Sequence, residues 1–310
     1  MVSTRHSLER ENWLRERKTY IGGTDIGAII GANPSYRTAL DVYLDKTSEG
    51  VVEVTSEPAY WGSMLEAVIA EEYSRRTGFD VEVPVGLIRH KDHKFIAANI
   101  DRWANGGGHI LECKTAGFMK AHEWGEVGTD QIPESYKYQV AYYAAITGVS
   151  RVDIAVLIGG QEFRIYQYLK DKEMEDKLIR AAVLFWNKYI LTNTPPAPKT
   201  DADTAKLFPK GNGLEVRADD TILQKIDMLQ DLKAKESFVI KEMEHLQIEV
   251  KNYMQDAELL IDNAGHLRAT WKNRKGSKRL DTKTLAEEHN EIYKQYLKEG
   301  EAYRVFALKQ

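Results

Sequence analysis

Apolar and polar positions recur along this chain with two periods, one helical and one alternating, and the switches between them outline its elements. Helical spacing governs residues 7–19 and 38–46. It returns from Tyr60 to Thr77, where Trp61, Met64, Leu65, Val68 and Ile69 form an amphipathic stripe that Gly78 ends. Between these, GGTDIGAIIG (Gly22–Gly31) reads as a glycine-bounded loop leading into a short helix at Asp25. Strand patterns follow at about 80–90, 94–103 and 109–115, then a tyrosine-rich helix at about 133–147 closed by Gly148. Two more strands, 151–158 and 162–169, lead to a helix at about 171–191. This order predicts an α/β core with a mixed central sheet flanked by helices.

NTPPAPKT (Asn193–Thr200) is proline-rich and marks a boundary between a core at 1–195 and an accessory region at 196–310. Beyond it the spacing predicts a long charged helix over 219–256, with Ile222, Leu223, Ile226, Leu229, Leu232, Val239, Met243, Leu246 and Val250 as its apolar positions. A hairpin around Asn263-Ala264-Gly265, a helix at 282–298 and a last strand near Tyr303–Leu308 complete the region. No internal repeat is visible.

Composition narrows the function classes. With 310 residues, 43% of them hydrophobic and 29% charged, the chain holds one large domain or two moderate ones. No apolar run approaches the roughly 18 residues of a membrane span. MVSTRHSLERENW has no signal-peptide core, so a cytoplasmic protein without membrane attachment is expected. One cysteine, Cys113, excludes disulfides within the chain and cysteine-rich zinc or iron–sulfur sites. A net charge of −4 argues against a wholly basic nucleic-acid coat protein but leaves room for DNA in a locally basic groove.

The candidate chemistry lies between Ala97 and Ala116, AANIDRWANGGGHILECKTA. NGGG is a hairpin turn, because its glycines accept the positive φ of a tight loop. With Gly106 and Gly107 as the loop, Asp101 falls across from Glu112, and alternation puts Lys114 on the face of Glu112. Opposed carboxylates about 5 Å apart repel. A divalent cation between them turns repulsion into binding, and the lysine then orients or deprotonates a water, as in a phosphodiester hydrolase. The other reading is a solvated face on which Lys114 pairs with one acid. Phe95, Ile96, Ile100, Ile110 and Leu111 mark these strands as buried, which favours a compensated charge site. Glu66 shares a helix face with Gly62, Ile69 and Tyr73 and points either into a site or along the edge of the stripe. Gln139, between Tyr136 and Tyr143, gives the 133–147 helix a polar and aromatic face.

Glu66, Asp101, Glu112-Cys113-Lys114 and Gln139, in that order, resemble the PD-(D/E)xK nucleases with their restriction-endonuclease-like fold. Trp13, Arg17, Ile21–Gly31, Trp61-Gly62 leading to Glu66, and Tyr136-Lys137-Tyr138-Gln139 are similar, over roughly residues 10–190, to the phage λ exonuclease / YqaJ family of viral recombination nucleases. The resemblance implies a Mg²⁺-dependent 5′→3′ exonuclease, with Mn²⁺ able to substitute. It would resect linear duplex DNA ends to leave 3′ single strands for recombination by strand annealing. It implies that Asp101, Glu112 and the main-chain carbonyl of Cys113 hold the metal, that Lys114 assists the water, and that Glu66 serves a second metal or its waters. Arg17 and Thr24 would grip the 5′ phosphate, with Tyr136, Gln139 and Arg102 on the DNA side of the site. It further implies a ring-shaped homo-trimer around the duplex and a single-strand annealing protein as partner. Thr24 stands where serine is usual, and Arg102 where glycine commonly follows the aspartate.

Read from the residues alone, Thr24 is an N-cap beside free helix N–H groups, an anion site, or else part of a tight turn. No G-x-x-x-x-G-K-[ST] loop suggests ATP hydrolysis. WKNRKGSKRLDTK (Trp271–Lys283) carries six basic residues and one acid. As a hairpin arm it would contact DNA through Lys272, Arg274 and Lys275, with Trp271 stacking on a base; otherwise it is a solvated hairpin. A DNA endonuclease of the same superfamily and a non-catalytic DNA-binding adaptor stand as alternatives.

Overall fold

The computed structural model describes residues 11–33, 36–50, 56–300 and 302–309. The chain divides into two compact units, Met1–Leu207 and Phe208–Gln310.

The first unit is built on a five-stranded sheet in the order β1-β4-β5-β6-β7. Its strands are β1 (Val81–Glu82), β4 (Arg102–Ala104), β5 (His109–Ala116), β6 (Arg151–Ile158) and β7 (Glu162–Leu169). All neighbours run antiparallel except β5 and β6. That parallel pair needs a crossover, and the helix α5 (Glu134–Thr147) lies between the two strands in sequence. The helices α2 (Gly23–Ile30), α3 (Ala39–Thr47), α5 and α6 (Lys172–Phe185) cover one sheet face, where Ile26, Leu40, Val140, Ile154 and Phe185 join one core. On the other face α4 (Glu57–Thr77) packs Ile69, Ala70 and Tyr73 on Leu111 and Ala155. The mixed sheet flanked by helices is the expected α/β architecture.

Several elements depart from the sequence pattern. The run expected at 80–90 is two short strands, β1 and β2 (Ile88–Arg89), in different sheets. Likewise 94–103 splits into β3 (Ala97–Ala98), which pairs with β2, and β4, which pairs with β5. Of the stripe on α4, Trp61, Met64 and Val68 are exposed, while Ile69 is buried against the sheet. Residues 11–17 are helical (α1), and the earlier part of the helix expected over 7–19 lies outside the described residues. Helix α6 continues through a π-helical turn, Trp186–Ile190, to the expected end near 191.

The compact unit runs past the proline-rich segment because α7 (Asp201–Leu207) is tied back to it. Asp203 is fully buried, accepting from the Thr38 hydroxyl at 2.8 Å and the Lys199 N–H at 2.9 Å.

In the second unit α8 (Asp220–Met254) is 35 residues long and capped by Asp219, which accepts from the Ile222 N–H at 2.8 Å. Its apolar positions, Leu229, Leu232, Met243 and Leu246 among them, are exposed. A hairpin follows, β8 (Leu259–Ile261) with β9 (Leu267–Thr270), turning through Gly265. Trp271 lies just beyond it, so the basic segment to Lys283 is not a hairpin arm: it is irregular and exposed until α9 (Thr282–Glu288). The single helix expected over 282–298 breaks at His289, whose φ of −130° is not helical, and resumes as α10 (Asn290–Tyr296). Residues 302–309 form no strand. Among the described residues no helix is long and apolar enough to cross a membrane.

Candidate active site

The β4–β5 hairpin turns at Asn105–Gly108, where Gly106 and Gly107 take φ of 62° and 85° and Gly108 N–H returns to the Asn105 carbonyl at 3.1 Å. Those φ values suit glycine and match the twist of the flanking strands. The register Arg102↔Leu111, Trp103↔Ile110, Ala104↔His109 sets Asp101 opposite Glu112 when continued by one step. The predicted juxtaposition therefore holds. Alternation sends Asp101, Glu112 and Lys114 to the α5 face, and Arg102 to the α4 face.

Glu112 is 1% exposed, yet one of its oxygens, Oε2, has no hydrogen-bond partner. Its Oε1 accepts from Lys114 Nζ at 2.5 Å and from Gln139 Nε2 at 2.7 Å. Gln139, buried on α5, also donates to the Tyr143 hydroxyl at 3.0 Å. Lys114 Nζ sits 5.0 Å from the centre of the Tyr136 ring, a cation–π contact. Asp101 Oδ2 accepts from the Cys113 N–H at 2.7 Å. In a strand a residue's N–H and C=O share an edge, so the Cys113 carbonyl lies on the Asp101 side.

The electrostatics follow from this crowding. Burial, and then the neighbouring Glu112, push the Asp101 carboxyl up to about 8. Burial raises Glu112 as well, against the lowering influence of Lys114. Burial works against the charge on Lys114, but Glu112 and Asp101 together raise it, so the ammonium is held charged. Two crowded acids that resist ionisation, the buried Glu112 with an unpartnered oxygen and the half-buried Asp101, are an environment that a divalent cation relieves. The donor set of two carboxylates and a carbonyl, all hard oxygens, suits Mg²⁺ or Mn²⁺.

Glu66 does not join that pair. Its Oε1 is bound by Arg102 Nη1 at 2.5 Å, and the same nitrogen donates to the Asp101 carbonyl at 2.5 Å. Among the described residues no three His, Cys, Asp or Glu side chains form a metal-binding group. Arg102 is thus engaged with a carboxylate rather than free for a phosphate.

A third cluster lies at the start of α2. The helix begins at Gly23 with Gly22 as N-cap, so Thr24 stands in the first turn and is not the cap. The capping contact comes from Asp25, whose Oδ2 accepts from the Gly22 N–H at 2.9 Å. Asp25 is buried against Lys46 and Arg37, each at 2.8 Å. Arg17 reaches the exposed Thr24 hydroxyl at 3.5 Å and stacks over Trp13 at 4.8 Å. Sequence reasoning missed the buried ion pairs, since nothing local marks Lys46 as the partner of Asp25. It also missed how tightly Gly23 packs: a Cβ there would lie 2.5 Å from Tyr143 Cε1 and 2.8 Å from Gln139 Cγ. The close approach links α2 to the glutamine that holds Glu112. A cavity of about 290 Å³ beside the carboxylates is lined by Trp13, Tyr20, Glu66, Asp101 and Arg102. Trp271, Lys272, Arg274 and Lys275 belong to the second compact unit and are exposed.

A family model, the YqaJ-like viral recombinase domain, matches residues 12–150. The protein YqaJ of Bacillus subtilis (strain 168) is 33% identical over 319 residues, covering 100% of this chain and 97% of its own length. The protein R354 of Acanthamoeba polyphaga mimivirus is 28% identical over 153 residues, 46% of this chain and 28% of that protein. Among solved structures, an alkaline exonuclease, LHK-Exo, from Laribacter hongkongensis aligns over 59% of this chain and 93% of its own, at 16% identity and a TM-score of 0.47.

Proposed function

Because the chain belongs to the YqaJ-like viral recombinase family, we propose that it is a divalent-metal-dependent deoxyribonuclease that resects linear duplex DNA from its 5′ ends. The observation that carries the reading is the pairing of half-buried Asp101 with buried Glu112, whose Oε2 has no partner, beside Lys114. Asp101, Glu112 and the Cys113 carbonyl would hold the ion, Mg²⁺ or Mn²⁺ in its place.

When bound, such an ion would supply Lewis acidity toward the scissile phosphate and the attacking water. The protein's own groups supply the rest. Gln139 and Lys114 fix the Glu112 carboxylate through Oε1, leaving Oε2 free. Lys114, whose Nζ lies 2.5 Å from Glu112 Oε1, is placed to orient or deprotonate the attacking water. Arg17 and the Thr24 hydroxyl hold the terminal 5′ phosphate, helped by the first-turn N–H groups of α2. Trp13 gives the neighbouring cavity an aromatic surface suited to a terminal base. The family resemblance supports two extensions: a homo-oligomeric ring enclosing the duplex, and a single-strand annealing protein that receives the 3′ strand.

Lys114→Ala tests the assignment. Cleavage is expected to fall by about 10²-fold or more while duplex binding persists. Turnover at the wild-type rate would remove the lysine from the mechanism.

A further inference from the structure

Three carboxylates come near one another at this site, but they are not equivalent. Burial and alternation separate them: Asp101 and Glu112 face α5, while Glu66 approaches from α4 on the opposite side of the sheet. Helix α4 runs close to β5, since a Cβ on Gly62, one turn before Glu66, would lie 3.8 Å from Thr115 Oγ1. Glu66 therefore reaches the strand ends near Asp101, where both border one cavity. What meets it there is a guanidinium. Arg102 Nη1 bonds Glu66 Oε1 and the Asp101 carbonyl, both at 2.5 Å, and its side chain is only 13% exposed.

We infer that Arg102 takes the place of a cation at Glu66, so that the site accepts a single divalent ion, on Asp101 and Glu112, and that removing Arg102 opens a second ion position. The inference rests on the reading of Asp101 and Glu112 as ion ligands. Charge balance supports it. Lys114 pairs with Glu112 and Arg102 with Glu66, so the negative charge left over is that of one carboxylate, which with the free Glu112 oxygen leaves room for one divalent ion and not for two. A second ion at Glu66 would have to displace a half-buried guanidinium already hydrogen-bonded to backbone. The fixed fork of an arginine, always charged, holds this position more firmly than a lysine would. Arg102 is in this account a residue that sets ion stoichiometry through Glu66, and it does not touch the reacting atoms.

The test is a titration of the full-length, DNA-free protein with Mn²⁺, counting bound ions from the loss of the free-ion electron paramagnetic resonance signal. Wild type is expected to bind one ion tightly. Arg102→Ala is expected to bind two, and Arg102→Ala with Glu66→Gln to return to one. Arg102→Gln, which keeps hydrogen-bonding capacity, should also bind two and provides a folded alternative if the alanine variant is unstable. Arg102→Lys should keep one. Two ions on wild type, or one ion on both the Ala and Gln variants, overturns the inference. Loss of the wild-type ion in Asp101→Asn supports the underlying ligand reading. Absence of any bound ion on wild type overturns that reading and this inference together.

Discussion

Replacing Asp25 by alanine should cost the fold far more than an exposed aspartate would, because of what it leaves behind. Asp25 is 1% exposed and pairs with Lys46, whose side chain is fully buried, at 2.8 Å. Removing the carboxylate leaves the buried Lys46 ammonium with the Arg17 carbonyl at 2.6 Å and only the more distant Asp45 carboxylate, at 3.7 Å, to balance its charge. Arg37 retains Asp45 at 3.3 Å, so its loss is smaller. Breaking one partner out of a buried ion pair costs about 3–5 kcal/mol, and the lost capping contact at Gly22 adds about 1 kcal/mol. Against a typical total of about 5–15 kcal/mol, that is a large share. Urea denaturation followed by far-ultraviolet circular dichroism measures it. The double variant Asp25→Ala/Lys46→Met separates charge from packing: with the stranded ammonium gone, most of the loss should be recovered. A single-variant change below about 1 kcal/mol, or a double variant as unstable as the sum of its parts, would refute the reasoning.

Other outcomes follow from the same contacts. Gly23→Ala pushes a methyl into Tyr143 and Gln139, so a loss of about 1–3 kcal/mol is expected together with impaired cleavage; a stable, fully active variant would deny that packing. Burial lowers His109 below its ordinary value of 6.5 against the opposing pull of Asp153, so the fold prefers the neutral ring. The stability it contributes is complete above about pH 6.5 and is lost as the pH falls through the lower, folded-state value. His109→Gln should flatten that acidic limb in melts between about pH 5 and 8, and an unchanged limb would assign it elsewhere. Arg17→Ala should shrink the preference for 5′-phosphorylated over 5′-hydroxyl ends in a competition digest; an unchanged ratio would detach Arg17 from the phosphate.

Much of the site was legible because its signals are local. A glycine turn fixes the centre of the hairpin, and a period of two then dictates that Asp101 opposes Glu112 and that Lys114 follows on the same face. Gly78 and Gly148 end their helices with φ of 76° and 82°, as a C-terminal glycine does. What could not be read depends on distant partners. Trp61, Met64 and Val68 have the spacing of a buried stripe, yet only a narrower row centred on Ile69 and Tyr73 meets the sheet. The chain between Phe95 and Ala104 looks continuous, but Ile96 bridges Ile21, Ala97 and Ala98 pair with β2, and only then does the chain join β5. Glu66 has the type and position of a ligand, and its engagement by Arg102 appears only when the two elements are folded together. Tyr303–Leu308 alternates like a strand but has no ladder partner among the described residues.

The central claim is resection from 5′ ends. It is tested most directly by digesting linear duplex DNA labelled separately at its 5′ and 3′ ends, with Mg²⁺ or with EDTA, alongside a closed circle. The account predicts Mg²⁺-dependent release of the 5′ label, a persisting 3′ strand and an untouched circle. Cleavage of the circle, release from 3′ ends, or no cleavage with either Mg²⁺ or Mn²⁺ would contradict it.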